Sequence, residues 1–261
     1  MLTLSGAMKR KDGGGEPLPQ VFPQLEHPWK ARIRRKEFTQ VSAQSGVGKS
    51  KLALWMAVRW VVDHNLVGLY FSADSPERVQ TVRALSMLNG QSTEKSEAQY
   101  RATEFDDLER LQGLEWSFEP DITFDAIEEE IAAFDEKWGA TPDFIIMDNL
   151  FDVETDAADE WAAVREASRT LAGVGWRTNS AVIGLHHVSD GEYKSVCPSR
   201  DRVLGKASVK QSLMLTMGDH DPQRGQPVAV VKHRHGPSDR SGNSAVWIPH
   251  NPQTMTFGDI S

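Results

Sequence analysis

The chain has 261 residues, 39% hydrophobic and 25% charged, enough to bury one full core, so one large α/β domain is expected and a cross-linked mini-scaffold is excluded. A single cysteine, Cys197, rules out an internal disulfide framework. The apolar stretch at 52–62, broken by Arg59, is far short of the roughly 20 residues that cross a bilayer, and no leader-like start is present, so a cytosolic protein without a membrane partner is expected. A net charge of −8 argues against a surface that coats nucleic acid all over, while leaving room for local basic patches.

In chain order, residues 1–28 mix three consecutive glycines, prolines and a basic triplet without either period, and read as a flexible arm, with order starting near Trp29 and a single domain over 29–261. The basic KARIRRKEF follows, and FTQVS at 38–42 reads as a short strand that runs into a glycine loop. KLALWMAVRWVV is apolar on nearly every face, as expected of a helix packed between layers. LVGLYFSAD (66–74) is a second buried strand. Pro76 suits a first-turn position, and Val79, Val82, Leu85 and Leu88 share one helical stripe.

Residues 89–120 are irregular, with a short helix expected around 103–111 and a strand at LEWSF. Phe124, Ile127, Ile131 and Phe134 form an amphipathic helix ahead of the strand DFIIMD (143–148), and AADEWAAVREASRTLA precedes the strand AVIGLHHV (181–188) in the same way. Near-continuous apolar strands alternating with helices predict a mostly parallel sheet covered on both faces. LMLTMG, PVAVVKHRH and SAVWIP lie closer together and are expected to finish the sheet with antiparallel pairing.

The chemistry concentrates in AQSGVGKS at 43–50. It departs from the phosphate-loop pattern Gly-x4-Gly-Lys-Ser/Thr only in having Ala43 where the first glycine stands. Backbone N–H groups from Ser45, Gly46, Val47 and Gly48 can point at phosphate oxygens, Lys49 can reach the β and γ phosphates, and Ser50 can ligate Mg²⁺. Ala43 costs roughly 1 kcal/mol if that position needs a positive φ. Asp148, at the end of FIIMD, suits the second Mg²⁺ position, although a strand-end aspartate also serves as a helix cap. Asp74 ends the strand after the loop helix and can orient a water or cap the next helix. One of His186 and His187 is expected to face the nucleotide and the other the core, because neighbours on a strand point to opposite sides.

AQSGVGKSKLAL, YFSAD with Arg83 nine residues beyond Asp74, FIIMDN, GLHHV and KHRHGPSD together resemble the motor domain of DnaB-type hexameric replicative helicases, in the RecA-like superfamily, over about residues 38–257. The resemblance implies a RecA-like P-loop NTPase core, ATP and Mg²⁺ as cofactors, and a ring acting on single-stranded or forked DNA, in a small form like those of bacteriophages working in the host cytoplasm. It places Asp74 where the family has a catalytic glutamate and His187 where it has a phosphate-sensing glutamine. Lys232 and Arg234 stand where a Lys-x-Arg pair reaches the neighbouring subunit's nucleotide. In the family, loops in the region 189–211 hold DNA by its backbone, which makes Lys194, Arg200, Arg202, Lys206 and Lys210 the expected DNA contacts. Two other readings remain open at this point. Asp148, Asp152 and Glu154, with Asp74 nearby, could hold two metals in a DNA nuclease built on the same fold. An ATP-gated DNA clamp or recombination accessory would use the nucleotide without unwinding.

Overall fold

The computed structural model describes residues 15–120, 122–188, 191–203 and 210–258, with the side chains of Glu160 and Trp161 left aside. An eight-stranded sheet in the order β3-β2-β4-β5-β1-β6-β7-β8 forms the centre. Its strands are β1 (Phe38–Ala43), β2 (Gly68–Ser72), β3 (Leu114–Ser117), β4 (Phe144–Asp148), β5 (Ala181–His187), β6 (Gln211–Met217), β7 (Gln226–His233) and β8 (Ala245–Ile248). Five consecutive pairings, β3-β2, β2-β4, β4-β5, β5-β1 and β1-β6, are parallel. Antiparallel pairing starts only at β6-β7 and continues to β8. The C-terminal strands thus finish the sheet with antiparallel pairing as expected, and β6 is the strand where the direction changes, parallel to β1 on one side and antiparallel to β7 on the other.

Two layers of helices cover the sheet. On one face lie α1 (Lys49–His64) and α2 (Glu77–Asn89), and on the other α4 (Phe124–Trp138) and α5 (Glu160–Thr178). Leu52, Leu54, Trp60, Tyr70, Phe144 and Ile183 belong to the first core. Phe38, Phe71, Ile127, Ile145, Leu171 and Val182 belong to the second. Strands buried on both faces need apolar residues at every position, which explains their unbroken hydrophobic runs.

The region 89–120 departs from expectation. A helix, α3 (Thr93–Arg101), starts on Ser92, whose side chain accepts from the Lys95 N–H, and its polar sequence carries no apolar stripe by which to find it. The turn around 103–111 is a 3-10 turn at Asp106–Leu111 and not an α-helix. LEWSF does hold a strand, β3.

The N-terminal segment needs the larger correction. From residue 15 the supposed arm is packed chain: Leu18, Phe22 and Leu25 are buried in the α1 core, and the Trp60 indole donates to the Pro19 carbonyl at 2.9 Å. Phe22 meets Phe257 edge-on at 6.3 Å, which ties the two ends of the chain to one core. Residues 1–14 lie outside the described residues. Phe22→Ala should lower unfolding free energy by about 3–5 kcal/mol in urea titration, whereas an independent arm would leave the midpoint unmoved.

Candidate active site

β1 ends at Ala43, and the chain then turns through Gly46 (φ 78°) and Gly48 (φ 113°) into the first turn of α1. Both glycines hold left-handed backbone that favours glycine, while Ala43 is not among the positive-φ residues. Ala43 is the last residue of the strand, opposite His187 in the β1-β5 register. A side chain there costs the loop nothing in backbone strain, so the departure from the glycine pattern is harmless.

Lys49 is buried, and its ammonium lies 3.2 Å from His187 Nδ1 and 3.4 Å from the carbonyls of Ala43 and Gln44. Burial pushes its pKa down, against the opposing charges of Asp148 and Asp74. Ser50 Oγ donates to Asp148 Oδ1 at 3.1 Å, and the Tyr70 hydroxyl donates to Asp148 Oδ2 at 2.9 Å. Asp148 is 3% exposed; burial raises its carboxyl pKa, the two hydrogen bonds pulling the other way. One hydroxyl and one carboxylate, both hard oxygen donors beside the loop, fit a Mg²⁺ ion.

The histidine pair divides as the strand alternation requires. His187 meets Lys49, whereas His186 is fully buried with neither ring nitrogen partnered among the described residues, and its ring packs on Phe151 with centroids 4.8 Å apart. Burial, then His187 and Lys49, push the His186 pKa down to about 3, so the ring is neutral.

Asp74 lies two residues beyond the end of β2, exposed, with its charge felt at Lys49 and Asp152. The carboxylates of the two-metal reading do not assemble. Both Asp148 oxygens are engaged as above, and Asp152 Oδ2 accepts from the Asn149 N–H at 3.1 Å. Glu154 lines a separate acidic cavity of about 250 Å³ with Asp125, Asp156 and Glu166. Among the described residues no three His, Cys, Asp or Glu side chains stand so as to hold a metal.

Lys232 and Arg234 lie at the other edge of the sheet. Lys232 pairs with Met214 across a β-bulge, and the Arg234 N–H donates to the Ser212 carbonyl, near the start of β6 and β1. The length of β1, roughly 17 Å at 3.3 Å per residue, separates this pair from the phosphate loop. Lys232 is pushed down to about 8 by burial and by Arg200 and Arg234, while Arg234 is exposed.

Of the expected DNA contacts, Lys194 and Lys210 are exposed, Arg200 sits beside Lys232, and Arg202 donates to the Gly191 carbonyl at 2.9 Å. Lys206 falls outside the described residues. Segment 191–203 is more than a solvated loop, because Cys197 and Val203 are buried against Met214, Ala229 and Val231.

The sequence reading missed Tyr70, whose hydroxyl is hidden in an apolar strand pattern, and Gln44, whose amide donates to the Gly191 carbonyl at 2.9 Å and ties the phosphate loop to segment 191–203. No spacing rule marks either residue.

This fold and this loop define a P-loop ATPase with a RecA-like core. A family model described as an AAA domain matches residues 14–192, more than half of the chain, and the chain belongs to that family. It is 30% identical to the Gene 65 protein of Mycobacterium phage D29 over 237 residues, covering 84% of this chain and 98% of the relative. It is 28% identical to the Gene 65 protein of Mycobacterium phage L5 over 272 residues, covering 100% and 99%. Among solved structures, a DnaB-like replicative helicase, in a study of its interactions with primase, superposes with a TM-score of 0.78 at 16% identity over 99% of this chain and 67% of that one. A second solved structure, an ATPase domain, gives 0.76 at 16% identity over 99% and 96%. At that identity the likeness is one of fold, and the fold is that of DnaB-like ATPase domains. No helix among the described residues is long and apolar enough to cross a membrane.

A carboxyl whose folded pKa is raised destabilises the fold as pH climbs from the ordinary value through the raised one, and the loss vanishes below that window. Asp148→Asn should therefore raise the urea midpoint at pH 7 without divalent ion, with the advantage shrinking towards pH 4. A midpoint that falls at pH 7 would show that the hydrogen bonds outweigh burial.

Proposed function

We propose that the chain is an ATP-driven DNA motor that hydrolyses ATP between the subunits of a homo-oligomeric ring and acts on single-stranded or forked DNA in the host cytoplasm. The observation that carries this reading is the separation of Lys49, Ser50, Asp148 and His187 at one sheet edge from Lys232 and Arg234 at the other. A side chain cannot span that gap, so Arg234 serves a phosphate only if the phosphate belongs to another copy. Head-to-tail contacts of this kind close into rings when the rotation allows.

The roles follow from the chemistry of the groups. N–H groups of Ser45, Gly46, Val47 and Gly48 hold phosphate oxygens at the start of α1, where the helix dipole also favours negative charge. Lys49, freed from the Ala43 and Gln44 carbonyls, neutralises the β and γ phosphates. Ser50 and Asp148 would hold a Mg²⁺ ion, which when bound would supply further positive charge beside the phosphates. Asp74 orients the attacking water and takes up its proton, at a site whose exposure admits water. His187 exchanges its contact with Lys49 for one with the γ-phosphate, and so reports whether that group is present. A neighbour's Arg234, with Lys232 behind it, stabilises the charge that develops on transfer. Lys194, Arg200, Arg202, Lys206 and Lys210 are assigned to the DNA backbone. A ring gathers such loops around its axis, so an acidic subunit can still present a basic channel.

Lys49→Ala and Arg234→Ala should each lower ATP turnover by about a thousandfold. Mixed in equal amounts, the two variants should recover up to roughly a quarter of the wild-type rate, because some interfaces then pair an intact loop with an intact arginine. Failure of the mixture to recover any activity, with both variants still assembling, would place hydrolysis within one subunit. DNA unwinding on a labelled fork that disappears with Lys49→Ala would support a motor, and binding without turnover a clamp.

A further inference from the structure

Arg234 stands one residue past the end of β7, at the head of the loop that runs to β8. It is exposed, and a long side chain on a bend serves a phosphate only if the backbone beneath it is held in place. The sheet holds one side of it, because the Arg234 N–H donates to the Ser212 carbonyl at 2.8 Å. Further along, Asp239 folds the rest of the loop. Its own N–H donates to the Val230 carbonyl at 2.8 Å. Its carboxylate accepts from the Ser241 N–H at 2.9 Å, from Ser241 Oγ at 2.7 Å and from the Ser244 N–H at 2.8 Å.

Between these two anchors a third tie reaches back to the first strand of the sheet. His235 Nε2 lies 2.6 Å from Glu37 Oε1. A carboxylate only accepts, so that ring nitrogen carries the hydrogen. The Glu37 side chain is 10% exposed and the ring 34%, which shields the contact from water better than an ordinary surface pair. Glu37 is itself fixed, for it directly precedes β1 and its carbonyl accepts from the Val182 N–H near the start of β5 at 3.0 Å. The packing around the tie is close. His233, the last residue of β7, meets His235 edge-on with ring centroids 6.1 Å apart, while Arg234 between them is exposed. A Cβ on Gly236 would come within 2.6 Å of His233 Nδ1 and 2.8 Å of the Trp29 carbonyl oxygen, so the chain beneath Arg234 has no room to slide.

We propose that Glu37 and His235 are positioning residues for Arg234: their hydrogen bond locks the loop to the head of β1 and so aims the guanidinium at the phosphate of a neighbouring copy. The proposal rests on the interface reading above and adds to it the device that makes the arginine effective. Placement matters because a misplacement of about 1 Å costs on the order of a hundredfold in rate. β1 runs from Glu37 to the phosphate loop at Ala43. One strand therefore serves two nucleotides, its own subunit's at one end and, through His235 and Arg234, the neighbour's at the other.

The test is steady-state ATP turnover of the full chain for Glu37→Ala, His235→Ala and His235→Gln, with thermal melts to compare folding. The two alanine variants should each lower kcat by about tenfold to a hundredfold, with KM within about twofold of wild type because each subunit's own phosphate loop is untouched. Glutamine puts an amide N–H where the ring nitrogen stood, so His235→Gln should stay within about threefold of the wild-type rate. Mixed in equal amounts with Lys49→Ala, His235→Ala should recover up to roughly a quarter of that rate. Mixed with Arg234→Ala, which is defective on the same side of the interface, it should recover nothing. A wild-type kcat in both alanine variants, or a raised KM at unchanged kcat, overturns the proposal. So does a His235→Ala defect that Lys49→Ala fails to complement while it complements Arg234→Ala; the fault then lies inside each subunit and the interface reading stands. If Lys49→Ala and Arg234→Ala do not complement each other, the interface reading falls and the proposal falls with it. Where Glu37→Ala melts early, the contrast between the two His235 variants decides.

Discussion

Asp148 is where the demands of folding and of function meet. Its carboxylate is almost completely buried, held by Ser50 from the start of α1 and by Tyr70 from β2. Those two hydrogen bonds join β4, β2 and the phosphate-loop helix at one point. Burying a carboxylate costs more than two neutral donors return, as its raised pKa records. The cost is tolerated because the parallel sheet fixes the strand end there, and because Lys49, itself buried, sits near enough for its charge to be felt. The two buried charges each oppose the desolvation of the other.

From that point the layout follows with little freedom. Parallel strands β4, β5 and β1 bring Asp148, His187 and the phosphate loop to one edge, where ligands gather in open α/β sheets. Reversal of direction at β7 sends Lys232 and Arg234 to the other edge. The bulge between Met214 and Leu215 then sets which way Lys232 points, since it places Lys232 opposite Met214, on the face where Cys197 and Val203 pack. One change of strand direction thus separates the two halves of a phosphoryl-transfer site and makes a second copy part of the chemistry under the proposed function.

Much of this was legible in the sequence because it rests on patterns with short physical range. Glycines that need positive φ, apolar runs of strand length and the alternation that splits His186 from His187 are all local. The phosphate loop, β1 to β5 and helices α1, α2, α4 and α5 could be read from them. Three things could not. Helix α3 has no apolar stripe, since Ser96 is its one buried residue. The packing of Leu18, Phe22 and Leu25 is decided by the outer face of α1 and by Phe257, more than 200 residues away in sequence. The carboxylate cluster suggested by DNLFDVET dissolves because the Asp152 side chain turns back to cap Asn149 while Glu154 leaves along another surface. Proximity in sequence says nothing about where the side chains point once the chain leaves a regular element.

The middle of the sheet shows the same tension between stability and use. On one face of β1, Ser42 lies in register with His186 of β5 and Thr216 of β6. All three are buried, and neither ring nitrogen of His186 nor the Thr216 hydroxyl has a partner among the described residues. Each such group costs about 1–3 kcal/mol when left unpaired, and an apolar row would pack there without that loss. Gln40, two residues back from Ser42, and Gln211, at the start of β6, do bond to each other and to Ser42 and Ser168. The unpaired members lie at the end of the row nearer the phosphate loop, and of them His186 precedes His187 and packs on Phe151. A neutral ring with no hydrogen-bond partner among the described residues is held there by packing alone, chiefly on Phe151.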